Sequence, residues 1–176
     1  MTSALSPRGT LRSRFEPQSG ADMFRRLGVG ARCCDLGDEG LYLAEELVAA
    51  DRWFGGRDPL TLGVLVLALM IAQRQGSTCL SLDPSVRGHL RPLVTEIARL
   101  AGIPDEAPAL LRAIGKLTCM PQFDSVVGTR DQRLPLVVDS GCLYTERSRW
   151  LEDRVARRLA ERVNAPPGPE PDVAAA

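Results

Sequence analysis

The stretch DPLTLGVLVLALMIAQRQG, residues Asp58 to Gly76, is apolar almost without interruption from Leu60 to Ala72. Its two ends are marked for a helix. Asp58 is an N-cap residue, and Pro59 suits the first helical position, where its missing N–H costs nothing. Gly76 supplies a left-handed stop after the polar turn Gln73, Arg74, Gln75. Val64, Leu65, Val66, Leu67, Leu69, Met70 and Ile71 point all around the axis, so no face is left for water and other elements must surround this helix. A membrane span needs ~20 apolar residues, and Thr61 and Gly63 interrupt this run of 13. The stretch therefore reads as the buried centre of a helical domain.

Length and composition agree with that reading. The chain has 176 residues, 44% hydrophobic and 25% charged, which is ordinary for one globular domain with tails and unlike a disordered or membrane-resident protein. Twenty-two basic residues balance 22 acidic ones, so no global field draws the protein to nucleic acid or an acidic membrane, and such binding would need a local patch. The cysteines, Cys33, Cys34, Cys79, Cys119 and Cys142, are odd in number and form no CxxC pair. The N-terminus lacks the apolar run of a secretory signal. Reduced thiols, a cytoplasmic location and no membrane association are the expectation.

Taken in order, residues 1–35 read as a flexible basic arm. Between Met1 and Arg32 six arginines face only Glu16 and Asp22. From Asp38, Leu43, Leu47, Ala50 and Phe54 recur at helical spacing and predict a helix. The link GGRD then turns the chain into the central helix as an antiparallel partner, with Trp53 and Phe54 as a lid at the corner. Leu80 and Leu82 predict a short extended piece. Helices are expected from Pro92 to Gly102, with Leu93, Val94, Ile97 and Leu100 on one face, and after Asp105, with Leu110, Ile114 and Leu117. Thr118 to Arg133 reads as an ordered loop. Leu134–Val138 and Cys142–Thr145 flank the turn Asp139, Ser140, Gly141 and form the only expected sheet, a hairpin. A last helix from Glu146 to Asn164 should face Trp150, Leu151, Val155, Leu159 and Val163 inward, with its arginines mostly outward. Residues 165–176 are Pro-rich and read as a linker or tail. The fold class is mainly α: a compact helical domain, 36–164, around a buried central helix, with one small β-hairpin before the last helix.

Sites of catalysis are hard to assemble from these residues. Adjacent Cys33 and Cys34 and the single histidine, His89, make a poor zinc cluster, and His89 has no nucleophile motif beside it. Gly115, Lys116, Leu117, Thr118 resembles a phosphate loop only superficially, because Leu110 and Leu117 stand where Gly and Ser or Thr are needed. Neighbouring carboxylates such as Glu45 and Glu46 point to different helix faces. No catalytic, cofactor-binding or metal residue is assigned.

A family pattern does run through the chain. Gln75, Gly76, Cys79, Leu80 and Leu82 follow the apolar helix as QG-x-x-CL-x-L. Ser125, Val127 and Gly128 give S-x-V-G ahead of the hairpin, and Pro135 to Tyr144 reads PLV-x-D-x-G-x-LY. An arginine-rich helix with Glu152 follows. In this order the segments from Asp38 to Asn164 resemble the N-terminal domain of the RecD-type α subunit of exodeoxyribonuclease V, the bacterial RecBCD helicase and nuclease. Ser148 departs from the pattern, standing where the family often has an aromatic residue, with Trp150 nearby. The ATPase motifs of the helicase core that follows this domain in the family are not in this sequence.

The resemblance implies a non-catalytic docking domain that binds RecC-like and RecB-like subunits and meets DNA within the complex, in double-strand break repair and recombination. ATP and Mg would belong to the helicase core, and this chain alone is expected to be no enzyme and to hold no cofactor. Tyr144, Arg147, Trp150, Arg154, Arg157 and Arg158 are the candidate partner or DNA contacts. Two alternatives remain: a freestanding helical protein-interaction domain, and a weak DNA-binding module using the arginine-rich arm and last helix.

Overall fold

A computed structural model describes residues 19–53, 58–83, 88–117 and 125–165. The central element is the helix α3, Pro59–Arg74, and every residue from Thr61 to Ala72 is buried. The expected cap is in place: Asp58 accepts hydrogen bonds from the Thr61 N–H (3.1 Å) and the Thr61 hydroxyl (2.7 Å). Gly76 takes the left-handed conformation at φ 93°. Around α3 pack α1 (Ser19–Cys33), α2 (Asp38–Trp53), α4 (Leu90–Leu100) and α5 (Ala107–Leu117), the last preceded by a short 3₁₀ turn, Pro104–Glu106. The protein is mainly α.

Helix α1 corrects the reading of residues 1–35 as a flexible arm, since from Ser19 onward the chain is helical and part of the core. Phe24, Leu27 and Ala31 recur at helical spacing and are buried. Glycines that lower the helix propensity of this segment also let it pack closely. A Cβ at Gly30 would stand 2.2 Å from the Ile97 carbonyl oxygen of α4. One at Gly63 of α3 would meet the Phe24 ring at 2.2 Å. The same residues thus weaken the local signal and strengthen the tertiary contact.

Helix α2 also turns a different face inward from the one expected. Leu41, Ala44, Leu47, Val48 and Asp51 are buried, while Leu43 is exposed. Two apolar registers overlap between Leu41 and Ala50, and contact with α3 selects the one that carries Asp51. Trp53, expected as a lid, is 87% exposed; Phe54 lies outside the described residues. Helix α4 begins at Leu90 rather than Pro92, which places that proline in the first turn, where it removes no helical hydrogen bond.

The expected hairpin is β3 (Leu136–Asp139) and β4 (Cys142–Thr145), joined through Ser140 and Gly141, both at positive φ as a tight hairpin turn requires. It is the middle of a four-stranded sheet rather than a sheet by itself. Strand β1 (Leu80–Ser81) pairs antiparallel with β4, and β2 (Val127–Gly128) pairs parallel with β3, giving the order β1-β4-β3-β2. Both outer strands have two residues, too short to show an alternating pattern, and β2 falls in the segment read as loop. Leu80, Leu136 and Leu143 close the sheet against the helical core.

The last helix, α6 (Glu146–Val163), departs furthest from expectation. None of its residues is buried. Trp150, Leu151, Val155, Leu159 and Val163, expected to face inward, are 44% to 82% exposed. The core around α3 is closed by other elements, and α6 rests on β3 and β4 near its N-terminal end. Among the described residues no helix is long and apolar enough to cross a membrane.

Candidate functional site

Helix α6 is held by polar contacts confined to its first half. Thr145 caps it, its hydroxyl oxygen accepting from the Ser148 N–H at 3.2 Å. Gln73, at the end of α3, donates through Nε2 to Ser148 Oγ at 2.9 Å. Thr78 donates to Glu152, and Arg130 pairs with Asp153 at 2.9 Å. Arg149 is the hub. Its guanidinium reaches Asp139 of β3 at 2.7 Å and Asp153 at 2.9 Å, and lies 5.5 Å from the Tyr144 ring centroid.

The electrostatics of this joint follow from the contacts. Hydrogen bonds from Ser140 and Arg149 hold the Asp139 carboxyl below the usual aspartate range. Burial opposes the charge on Arg149, but the bonds to Asp139 and the field of Asp153 outweigh it and raise its pKa. Burial, followed by a hydrogen bond with Cys79, pushes the Cys142 thiol up to about 11 and raises the Tyr144 phenol as well. Cys142 is a protonated structural thiol at neutral pH.

Beyond Asp153 the helix is unsupported. From Arg154 to Val163 no side chain makes a hydrogen bond or ion pair with another element among the described residues. Two hollows lie along this length. One, of about 400 Å³, is apolar and is formed by Leu151, Val155, Ala156 and Leu159, with Thr78, Ser148 and Glu152 at its head. The other, of about 480 Å³, is formed by Trp150, Arg154, Arg157, Arg158 and Glu161, with the Arg154 guanidinium 5.2 Å from the Trp150 ring centroid.

Of the residues singled out from sequence, Trp150, Arg154, Arg157 and Arg158 thus come together in one hollow. Tyr144 does not join them. It lies half-buried under Arg149 and belongs to the joint. Arg147 is exposed at the first turn of the helix. Sequence reasoning missed two parts of this surface. Leu151, Val155, Leu159 and Val163 were legible as an apolar stripe, but a stripe does not tell whether its own chain covers it. Arg149 carried no signal, because its partner Asp139 acquires meaning only once the hairpin folds against α6.

The groups gathered along α6 are guanidiniums, an indole and branched aliphatic side chains, with the carboxylates of Glu152 and Glu161 and the hydroxyls of Thr78 and Ser148. Gly115, Lys116 and Leu117 lie within α5, where backbone N–H groups are committed to the helix. Among the described residues no group of three or more His, Cys, Asp and Glu side chains is placed to hold a metal ion. No family model matches this chain, and neither a curated protein nor a solved structure matches it.

Proposed function

We propose that this chain is a non-catalytic docking domain, of the kind that opens a RecD-like subunit of exodeoxyribonuclease V, and that it acts in the bacterial cytoplasm within a machine that unwinds and degrades broken DNA ends. The observation that carries docking is the apolar face of α6, uncovered along its length while the helix is pinned at one end. An apolar stripe of this kind is expensive to leave in water and typical of a surface that a partner covers. The link to the RecD family rests on the sequence segments. In its favour, the CL-x-L segment and the PLV-x-D-x-G-x-LY segment, some fifty residues apart, form one unit: Leu80 pairs with Leu143 and Val138 with Leu143 in adjacent ladders.

On this reading the partner is a RecC-like subunit, with a RecB-like subunit and DNA in the same assembly, and ATP and Mg belong to a helicase core. The purified chain alone then shows no DNA-stimulated ATPase. Co-expression with a RecC-like subunit tests the proposal. The intact chain co-purifies with it, and Leu159→Asp, a change at a surface position, abolishes co-purification while the far-UV spectrum is unchanged. Failure of the intact chain to co-purify refutes the RecC assignment.

A second reading has its own observation, the hollow where Trp150 stands among Arg154, Arg157 and Arg158. Stacking and phosphate contact are available there. DNA affinity through this hollow falls steeply with salt, and an affinity flat from low to high salt excludes it.

A further inference from the structure

Three features of α6 specify what covers it. The first is a paired register. Leu151, Val155 and Leu159 are each followed three residues later by an arginine: Arg154, Arg158 and Arg162. Three residues amount to about 60° short of a full turn, so an arginine row runs beside the apolar row along one flank. The second is that these arginines have no carboxylate partner among the described residues, Arg154 touching only the Trp150 ring. None of Arg154, Arg158 and Arg162 has an ion pair among the described residues, whereas Arg149 on the joint side engages Asp139 and Asp153. The third is asymmetry. The opposite flank carries Ala156 and Glu152, the latter already hydrogen-bonded to Thr78.

These features discriminate among occupants. A second copy packed antiparallel on α6 places like flank against like flank, which sets arginine row against arginine row with Glu161 as the one carboxylate beside it. A parallel copy opposes three arginines with the single, already engaged Glu152. The two terminal stretches of the sequence fit no better by composition. Residues 1–18 carry Arg8, Arg12 and Arg14 against Glu16, the same sign as the row they would meet, and residues 166–176 hold Pro166, Pro167, Pro169 and Pro171, a composition unfavourable to a helix. We infer that α6 receives an amphipathic helix of a partner protein, with an apolar stripe seated along Leu151, Val155 and Leu159 and a row of carboxylates facing Arg154, Arg158 and Arg162. This rests on the docking reading of α6 and deepens it by naming the chemistry of the partner.

The test uses the full chain and two labelled helical peptides as long as α6. Both carry the same leucine stripe, flanked in one by glutamate and in the other by lysine, and binding is read by fluorescence anisotropy. The glutamate peptide binds at least tenfold more tightly, and salt narrows the gap. The double variant Arg154→Glu, Arg158→Glu reverses the preference, and Val155→Asp abolishes binding of both. Circular dichroism confirms that these surface variants fold.

Equal binding of the two peptides overturns the inference, because the stripe alone would then account for affinity. Concentration-dependent dimerisation lost in Leu159→Asp overturns it in favour of a second copy. Duplex DNA that binds through Arg154 and Arg158 while neither peptide binds overturns it in favour of nucleic acid. Absence of peptide binding together with loss of RecC co-purification in Leu159→Asp refutes the acidic-helix chemistry and leaves docking standing. A preserved charge reversal without RecC co-purification refutes the RecC assignment alone.

Discussion

Leucine-to-alanine changes at two helices should have opposite consequences for stability and for binding, and together they test the division of labour between α3 and α6. Leu67 is 0% exposed and surrounded by core on all sides. Truncating it removes buried methyl groups and leaves a cavity, so Leu67→Ala should cost about 2 to 5 kcal/mol. Leu159 is 56% exposed. Full burial of a leucine is worth about 1.5 to 3 kcal/mol. Less than half of that is at stake at Leu159, and the higher helix propensity of alanine offsets part of it. The expected net loss for Leu159→Ala is under ~1 kcal/mol. Equilibrium urea unfolding, followed by far-UV circular dichroism, reads both values, with an unchanged slope required for the comparison. Binding inverts the order: Leu159→Ala weakens capture of the acidic helix, whereas Leu67→Ala, where it remains folded, does not. A cost above ~2 kcal/mol at Leu159 would mean that the stripe is covered by its own chain, and a cost below ~1 kcal/mol at Leu67 would remove α3 from the centre of the core.

Other perturbations check the remaining joints. Gly28→Ala and Gly30→Ala, two residues apart on α1, should differ in sign. At Gly28 the new methyl meets only Leu41 at 3.6 Å and the helix gains about 0.5 to 1 kcal/mol, while at Gly30 it meets α4 backbone at 2.2 Å and costs about 1 to 3 kcal/mol before that gain; equal midpoints in urea would refute the close crossing. Arg149→Ala removes the link from α6 to Asp139 of β3, together with the pair to Asp153 one turn on in α6, and should cost about 1 to 2 kcal/mol, with faster hydrogen exchange in the first turns of α6; Arg149→Lys recovers only part, because a single ammonium cannot span both carboxylates as the guanidinium fork does. Asp51 gives the pH test. It is 1% exposed, its Oδ1 accepts from Ser125 at 2.8 Å, and its Oδ2 finds no partner among the described residues. Burial, partly offset by that hydrogen bond, raises its carboxyl pKa. The folded state therefore binds more protons than the unfolded one above the ordinary aspartate range, so this group's contribution to stability falls as pH rises through the raised value. Asp51→Asn removes that fall, and an identical pH dependence in the variant would show that Asp51 does not titrate as argued.

How much of this was legible in the residues depends on whether the cause was local. The span of α3 was readable because its cap, its proline and its glycine act within a turn of themselves, and because a helix apolar all round has one physical solution. The hairpin was readable for the same reason: Asp139, Ser140 and Gly141 dictate a tight turn, and the flanking residues are strong strand formers. Helix α1 was obscured because Gly28 and Gly30 argue against a helix by propensity, and the benefit of Gly30 appears only against α4. The choice of face on α2 was undetermined for a related reason, since two apolar registers were equally available until α3 selected one.

The candidate site sits on the other side of that divide. Sequence alone placed Trp150, Arg154, Arg157 and Arg158 on one helix and marked Leu151, Val155, Leu159 and Val163 as an apolar stripe, because helical periodicity follows from backbone geometry. Whether that stripe belonged to the core or to the surface depended on what else had already covered the core. Helices α1, α2, α4 and α5 and the sheet close around α3 without α6, leaving it pinned through Arg149 with its apolar face open. Periodicity determines which side chains share a face, and only the packing of the whole chain decides whether that face is left for a partner.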